Sequence, residues 1–167
     1  MEITTAMIKE LREQSGAGIM DCRSALMDTE GSMEKALGIL REKGLRKAEK
    51  KASRTASQGL VEAYIHTAGR VGSMVELNCE TDFVARTDEF KELAHCIAMQ
   101  IAALDPKYID EKDIPEGADV DPQQDCLMLQ AYIKDPTKTI KDIIVETIAK
   151  TGENIKVSRF NRYELGN

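Results

Sequence analysis

Thr81, Asp82, Phe83 and Val84 stand together at a junction, after the apolar strand-like run Met74 to Leu77 and just before a periodic helix beginning near Thr87. A hydroxyl and a carboxylate beside two apolar side chains offer hydrogen bonding and a hydrophobic wedge. That is the chemistry of recognition rather than of bond making. Two readings follow. Asp82 can cap the following helix while Phe83 and Val84 fold back onto the core as a staple. Alternatively, Phe83, one of three phenylalanines in the chain, projects from a surface junction and is pushed into another protein. The residue types alone favour the staple, since most aromatics are buried.

The remaining reactive side chains assemble no obvious site. The four cysteines, Cys22, Cys79, Cys96 and Cys126, are scattered without a Cys-x-x-Cys pair, and the two histidines, His66 and His95, lie on separate segments. A metal centre would need long-range assembly. Free, buried thiols of a reducing compartment are the expectation, with no metal and no cofactor. His66 falls near the end of a strand-like run and His95 inside an apolar-periodic helix, so each alone reads as a packing or surface residue. There is no phosphate-cradling Gly-x-x-x-x-Gly-Lys-Ser/Thr loop, no Gly-x-Ser-x-Gly elbow and no His-Glu-x-x-His helix. The pattern points away from an enzyme.

Composition narrows the class further. The chain has 167 residues, 42% hydrophobic and 31% charged, with a formal net charge of −6. A chain of this length can bury about 70% of its unfolded surface in one or two domains. Its acidity argues against general nucleic-acid binding, which needs a basic surface. The first twenty residues carry Glu2, Lys9, Glu10, Arg12 and Glu13, leaving no apolar signal region, and no run is long enough to span a membrane. A cytoplasmic protein is expected.

The elements that must position these residues are readable from periodicity. Residues 3 to 44 predict three short helices: Ile3, Met7, Ile8 and Leu11 share one face, Ile19, Cys22 and Leu26 a second, and Met33, Leu37 and Leu40 a third. Gly16-Ala17-Gly18 breaks the first pair, Gly31-Ser32 ends the second helix and caps the third, and Gly44 closes the unit. Residues 45 to 58 read as a basic helical linker, with Arg46, Lys47, Lys50, Lys51 and Arg54; from Arg46 to Gly59 there is no apolar residue larger than Ala and no interleaved aromatic. Residues 59 to 167 then read as an α+β domain. A hairpin turns at Thr67-Ala68-Gly69-Arg70, and a helix follows from Thr87 to Asp105-Pro106. All four prolines fall between Pro106 and Pro136, predicting mostly loop with a short helix or strand between Cys126 and Ile133. A capping box at Thr139 and Asp142 opens a helix ending at Gly152, and Ile155 to Tyr163 form a last strand that pairs with the hairpin.

Three motifs, in order and spanning most of the chain, carry a resemblance. They are Leu11-Arg12-Glu13-Gln14-Ser15-Gly16-Ala17-Gly18-Ile19-Met20-Asp21-Cys22, Asn78-Cys79-Glu80-Thr81-Asp82-Phe83-Val84-Ala85, and Ile148-Ala149-Lys150-Thr151-Gly152-Glu153-Asn154-Ile155. Together they resemble bacterial translation elongation factor Ts, the guanine nucleotide exchange factor for elongation factor Tu. The resemblance reverses the weighting for Phe83.

It implies a ubiquitin-associated-type (UBA-like) three-helix domain resting on the partner's nucleotide-binding domain, with Met20 and Arg23 on the contacting surface. It also implies that the Thr81 to Val84 loop enters between helices of the partner, with Phe83 as wedge and Asp82 holding the loop. His66 matches a family histidine that touches the partner near its phosphate loop. Both GDP-bound and nucleotide-free elongation factor Tu are implied as partners, with no direct nucleic-acid or membrane contact. The longest family members carry a doubled core and a coiled-coil insertion. This chain has one core copy, and single-core relatives pair as homodimers. Two other classes stay open: a UBA-like adaptor that binds peptides, and an RNA-binding protein acting through residues 46 to 54.

Overall fold

Hydroxyl groups placed one residue before an apolar period start most of the helices. The structure is a computed structural model describing residues 3–166; Met1, Glu2 and Asn167, the outermost ends of the expected first and last domains, lie outside the described residues. It divides into two compact units, Met1–Arg54 with Val145–Asn154, and Thr55–Ile144 with Ile155–Asn167.

In the first unit, Thr4 caps α1 (Thr5–Ser15) by accepting from the Met7 amide at 3.3 Å. Gly16, at φ 65°, turns the chain out of that helix in a left-handed conformation open to glycine. Helix α2 spans Ile19–Asp28, and Ser32 caps α3, Met33–Lys51. The three bury Leu11, Cys22, Ala25, Leu26, Ala36 and Leu40 at their centre, with Met7, Ile8, Met33 and Leu37 partly buried around them. Ile19, expected on the buried face of the second helix, is instead 55% exposed. It begins its helix, and Ala25 takes the inward position one turn before its end.

Helix α3 also runs seven residues past Gly44, where the sequence suggests a stop. Gly44 is buried inside the helix, and a Cβ there would lie 3.3 Å from Val145 Cγ1. The residue is small because another segment packs close, not because the chain turns. The basic residues at 46 and 47 are therefore helical and paired: Arg46 with Glu42 at 2.6 Å and Lys47 with Asp21 at 2.9 Å.

The second unit is built on a hairpin, β1 (Gln58–Ile65) and β2 (Val71–Cys79), joined by a 3₁₀ turn at Thr67–Gly69. The last strand, β5 (Lys156–Glu164), adds antiparallel to β2, giving the order β1-β2-β5. A four-residue helix, α4 (Asp82–Ala85), follows β2, and Thr87 caps α5 (Asp88–Leu104). Phe90, Leu93, Ala94, Ile97, Ala98 and Ile101 give α5 a continuous buried stripe. It covers one face of the sheet, where Ser73 Oγ donates to the Ala98 carbonyl at 2.5 Å.

The proline-rich segment is more structured than its composition suggests. It holds a short helix α6 (Pro122–Asp125) and a second hairpin, β3 (Ala131–Tyr132) with β4 (Asp135–Thr139). Buried Gln100 of α5 anchors it, donating to the Ala131 carbonyl and accepting from the Ile133 amide, both at 3.0 Å. A two-residue strand, paired with a five-residue one that is polar and carries Pro136, leaves too little alternation to be seen in sequence. Strand β3 falls within the short helix or strand expected between Cys126 and Ile133, whereas β4 is an addition to the expected strand-strand-helix-helix-strand order. Thr139 and Asp142 reciprocally cap α7 (Ile140–Thr151), with contacts of 2.8 and 3.1 Å.

Gly59 provides a stringent test of this sheet. Its φ is 145°, and a Cβ would lie 2.1 Å from the Leu77 carbonyl oxygen. Backbone cannot retreat as a flexible side chain can, so Gly59→Ala is expected to cost about 2–4 kcal/mol in chemical denaturation. An unchanged midpoint would show that the strands can separate there at no cost.

Candidate partner-binding site

The junction motif forms a small, doubly capped platform. Thr81, in extended conformation, accepts from the Val84 amide at 3.4 Å and begins α4. At the other end, the Thr87 hydroxyl donates to the Val84 carbonyl at 2.8 Å, while its oxygen accepts from the Phe90 amide at 3.3 Å. One threonine thus closes α4 and opens α5. The Cys79 thiol donates to the Thr81 carbonyl at 3.1 Å, tying the platform to the end of β2. Ala85 is buried beneath it.

Phe83 is 78% exposed. The staple reading is therefore excluded in this structure: the ring points out, and the other two phenylalanines, Phe90 and Phe160, are fully and partly buried. Asp82 does not cap α5. It sits in the first turn of α4 and pairs with Arg86 at 2.8 Å. Both partners are largely exposed, so the pair orients the platform more than it stabilises the fold. The spacing of Asp82 and Arg86, one helical turn, is the sequence signal that would have revealed this pairing.

His66 lies in the same unit but at the other end of the hairpin. The ladder from the Gln58–Cys79 pair to the Ile65–Gly72 pair separates it from the platform by roughly 23 Å. His66 is exposed, and its Nδ1 is 3.0 Å from the Tyr64 hydroxyl. The Tyr64 ring packs edge-on against His95 at 5.7 Å, and His95 Nδ1 in turn meets Glu62 Oε1 at 3.1 Å.

Met20 and Arg23 belong to the first unit. Met20 is 72% exposed and Arg23 is exposed beside it on α2. Ile19 and Met27 extend the same outward surface; the seven-residue spacing of the two methionines marks that face in the sequence. A second apolar surface went unread there: Val61, Ile65, Met74 and Tyr163 lie outward on the sheet face opposite α5, all substantially exposed. Among the described residues, no group of three or more His, Cys, Asp or Glu side chains is placed to hold a metal ion. No helix among them is long and apolar enough to cross a membrane.

A small helical bundle, a three-stranded antiparallel sheet backed by one long helix, and an exposed aromatic on a capped turn define a two-unit α+β protein. The family model described as elongation factor Ts matches residues 3–125. Elongation factor Ts of Thermoanaerobacter sp. (strain X514) is 50% identical, over 98% of this chain and 95% of that protein. The protein of the same name from Thermotoga sp. (strain RQ2) is also 50% identical, over 99% and 98% respectively. That from Carboxydothermus hydrogenoformans is 49% identical, over 98% and 89%. The chain belongs to the elongation factor Ts family.

The alignment with the Thermotoga relative runs over 194 positions, more than the 167 residues of this chain, so that relative carries residues without a counterpart here.

Exposure of Phe83 makes a direct prediction. Phe83→Ala should shift stability by no more than about 0.5 kcal/mol, as exposed substitutions do. Phe90→Ala, in the core, should cost about 3–5 kcal/mol. Urea denaturation of both variants checks the contrast, and equal losses would mean that the Phe83 ring is packed in solution.

Proposed function

We propose that this protein is the guanine nucleotide exchange factor for elongation factor Tu in translation elongation. The observation that carries the reading is Phe83, held out from a capped turn within the family motif Thr81-Asp82-Phe83-Val84 and exposed over 78% of its surface. A phenylalanine of this exposure is a poor choice for solubility and a good one for insertion into a partner, where burying an aromatic is worth about 2–3 kcal/mol. Asp82 and Thr81 hold the turn, and Val84 sits beside the ring. Met20, Arg23 and His66 supply further contacts.

In the partner, nucleotide is held by Mg²⁺ and phosphate-loop amides. A ring wedged between the helices that support those groups displaces them, and GDP affinity falls. Linkage makes the effect reciprocal, so GDP weakens the exchange factor by the same ratio. A coupling of about 4 kcal/mol corresponds to roughly a thousandfold change in affinity. The factor binds GDP-bound and nucleotide-free forms, and GTP entry drives it off. No covalent bond is made or broken, so the protein is not an enzyme in the ordinary sense, and it acts in the cytoplasm with its partner.

The bare sheet face supports homodimer formation. Val61, Ile65, Met74 and Tyr163 present an apolar surface that monomers rarely leave contiguous. A second copy packing its own sheet there would build a two-sheet sandwich. Met74→Arg, at the centre of that face, should shift the protein to monomer in sedimentation equilibrium. Persistence of the dimer would place the interface elsewhere.

The exchange reading is tested by release of a fluorescent GDP analogue from the matching elongation factor Tu. Substoichiometric protein should accelerate release, and Phe83→Ala should reduce the acceleration by about thirtyfold or more, the loss of a hot-spot anchor of about 2 kcal/mol. No acceleration with both proteins folded would favour the alternative, a UBA-like adaptor acting through the bundle. Binding to RNA that weakens steeply with salt and survives Phe83→Ala would favour the basic segment instead.

A further inference from the structure

Four side chains outside the family motif converge where α5 meets the β3–β4 hairpin. Cys96 is carried by α5, and its Sγ accepts from the Tyr132 hydroxyl at 2.9 Å and from Lys134 Nζ at 3.4 Å. The thiol also lies 3.3 Å from Glu92 Oε1, one turn earlier on the helix, and Lys134 Nζ is 3.2 Å from that same oxygen. Sulfur, amine, phenol and carboxylate therefore form one closed cluster. Cys96 itself is 5% exposed, but the Lys134 and Glu92 side chains are 47% and 67% exposed, so the cluster lies at the rim of the unit.

The other thiols have different surroundings. Cys22 faces the Ser15 hydroxyl and the Ala17 carbonyl. Cys126 is held above its usual range by burial and by the surrounding carboxylates of Glu111 and Asp110. At Cys96 an ammonium and a phenol both donate to sulfur while the Glu92 carboxylate accepts from it, so a thiol, an amine and a proton-accepting carboxylate stand in mutual contact.

We propose that Cys96 and Lys134 form a peroxide-responsive modification site, in which oxidation of the thiol leads to a covalent sulfur–nitrogen bond between the two side chains. In the first step Sγ attacks one oxygen of hydrogen peroxide. The S–O bond forms, the O–O bond breaks, and the departing hydroxide takes the thiol proton, relayed by Glu92, to leave as water. Sulfur has lost two electrons and is a sulfenic acid. In the second step Lys134 passes one ammonium proton to Glu92 and on to solvent, and its nitrogen attacks Sγ. The S–N bond forms, the S–O bond breaks, and the hydroxyl leaves as water with a second ammonium proton. This step is a condensation with no further change of oxidation state. Glu92 and, more weakly, Cys96 hold the Lys134 ammonium above its ordinary range, so the nitrogen becomes a nucleophile only once that first proton has passed through Glu92 to solvent. The product ties the β3–β4 hairpin to α5.

The test uses the full chain, treated with hydrogen peroxide, blocked with a thiol alkylator, digested and analysed by mass spectrometry. The expected result is a peptide joining Cys96 to Lys134, lighter by two hydrogens than its two parts and released by dithiothreitol. Cys96 alkylation should be lost before that of Cys22. Lys134→Arg keeps the charge opposite Glu92 but offers a poor nucleophile; there Cys96 should proceed to sulfinic acid without a link. Oxidation of Cys96 in the unsubstituted chain without attachment to Lys134, or oxidation no faster than that of Cys22, would overturn the proposal.

Discussion

The seating of one long helix against one face of a three-stranded sheet governs the second unit. Phe90, Ile97 and Ile101 of α5 are fully buried, as are Val75 and Leu77 of β2. At about 25 cal/mol per Å² of apolar surface, such a stripe is the principal stabilising term available to a unit of this size. It fixes where α5 must begin, and the two-threonine platform takes up the chain between that point and the end of β2. Phe83 is left outside because the four-residue helix between the caps has only one inward position, which Ala85 fills. The aromatic is displayed by capped neighbours on both sides rather than by a loop, which would reduce the ordering entropy of any association made through it.

The same helix decides the character of the opposite sheet face. Strand residues alternate, so seating Leu60, Glu62 and Tyr64 toward α5 turns Val61, Ala63 and Ile65 outward. The inward set is itself half polar. Glu62, Tyr64 and His95 satisfy one another there, and Tyr64 passes the chain of contacts on to His66 at the turn. One strand therefore contributes a polar relay to one face and an apolar surface to the other.

Much of this was legible in sequence because the signals were local and strong. Thr87 before Asp88 and Glu89, the Thr139–Asp142 box and the continuous stripe of α5 each specify an element without help from distant residues. What escaped reading depended on partners far along the chain. Gly44 looked like a stop, but its size answers to Val145, a hundred residues away. The β3–β4 hairpin pairs a two-residue strand with a polar five-residue one, neither showing an apolar period, and is held by Gln100 of α5. Phe83 was ambiguous for a related reason: an exposed and a buried phenylalanine have the same local sequence signature, and only the geometry of the junction separates them. The Cys96 cluster draws on residues 92 to 134 and has no motif at all.

Both units are discontinuous along the chain, each completed by residues near the C-terminus. Strand β2 is made early, yet its neighbour on one side, β5, is synthesised some eighty residues later, as the pairing of Val75 with Phe160 makes plain. During translation the hairpin must wait with one strand edge unpaired, a state that invites pairing with other chains. Contacts so distant in sequence also slow folding, because the intervening loop must close before they form. On the ribosome, the first unit lacks its final contacts until Val145–Asn154 has emerged and the second until β5 has, so each early segment is held open for a partner made some hundred residues later.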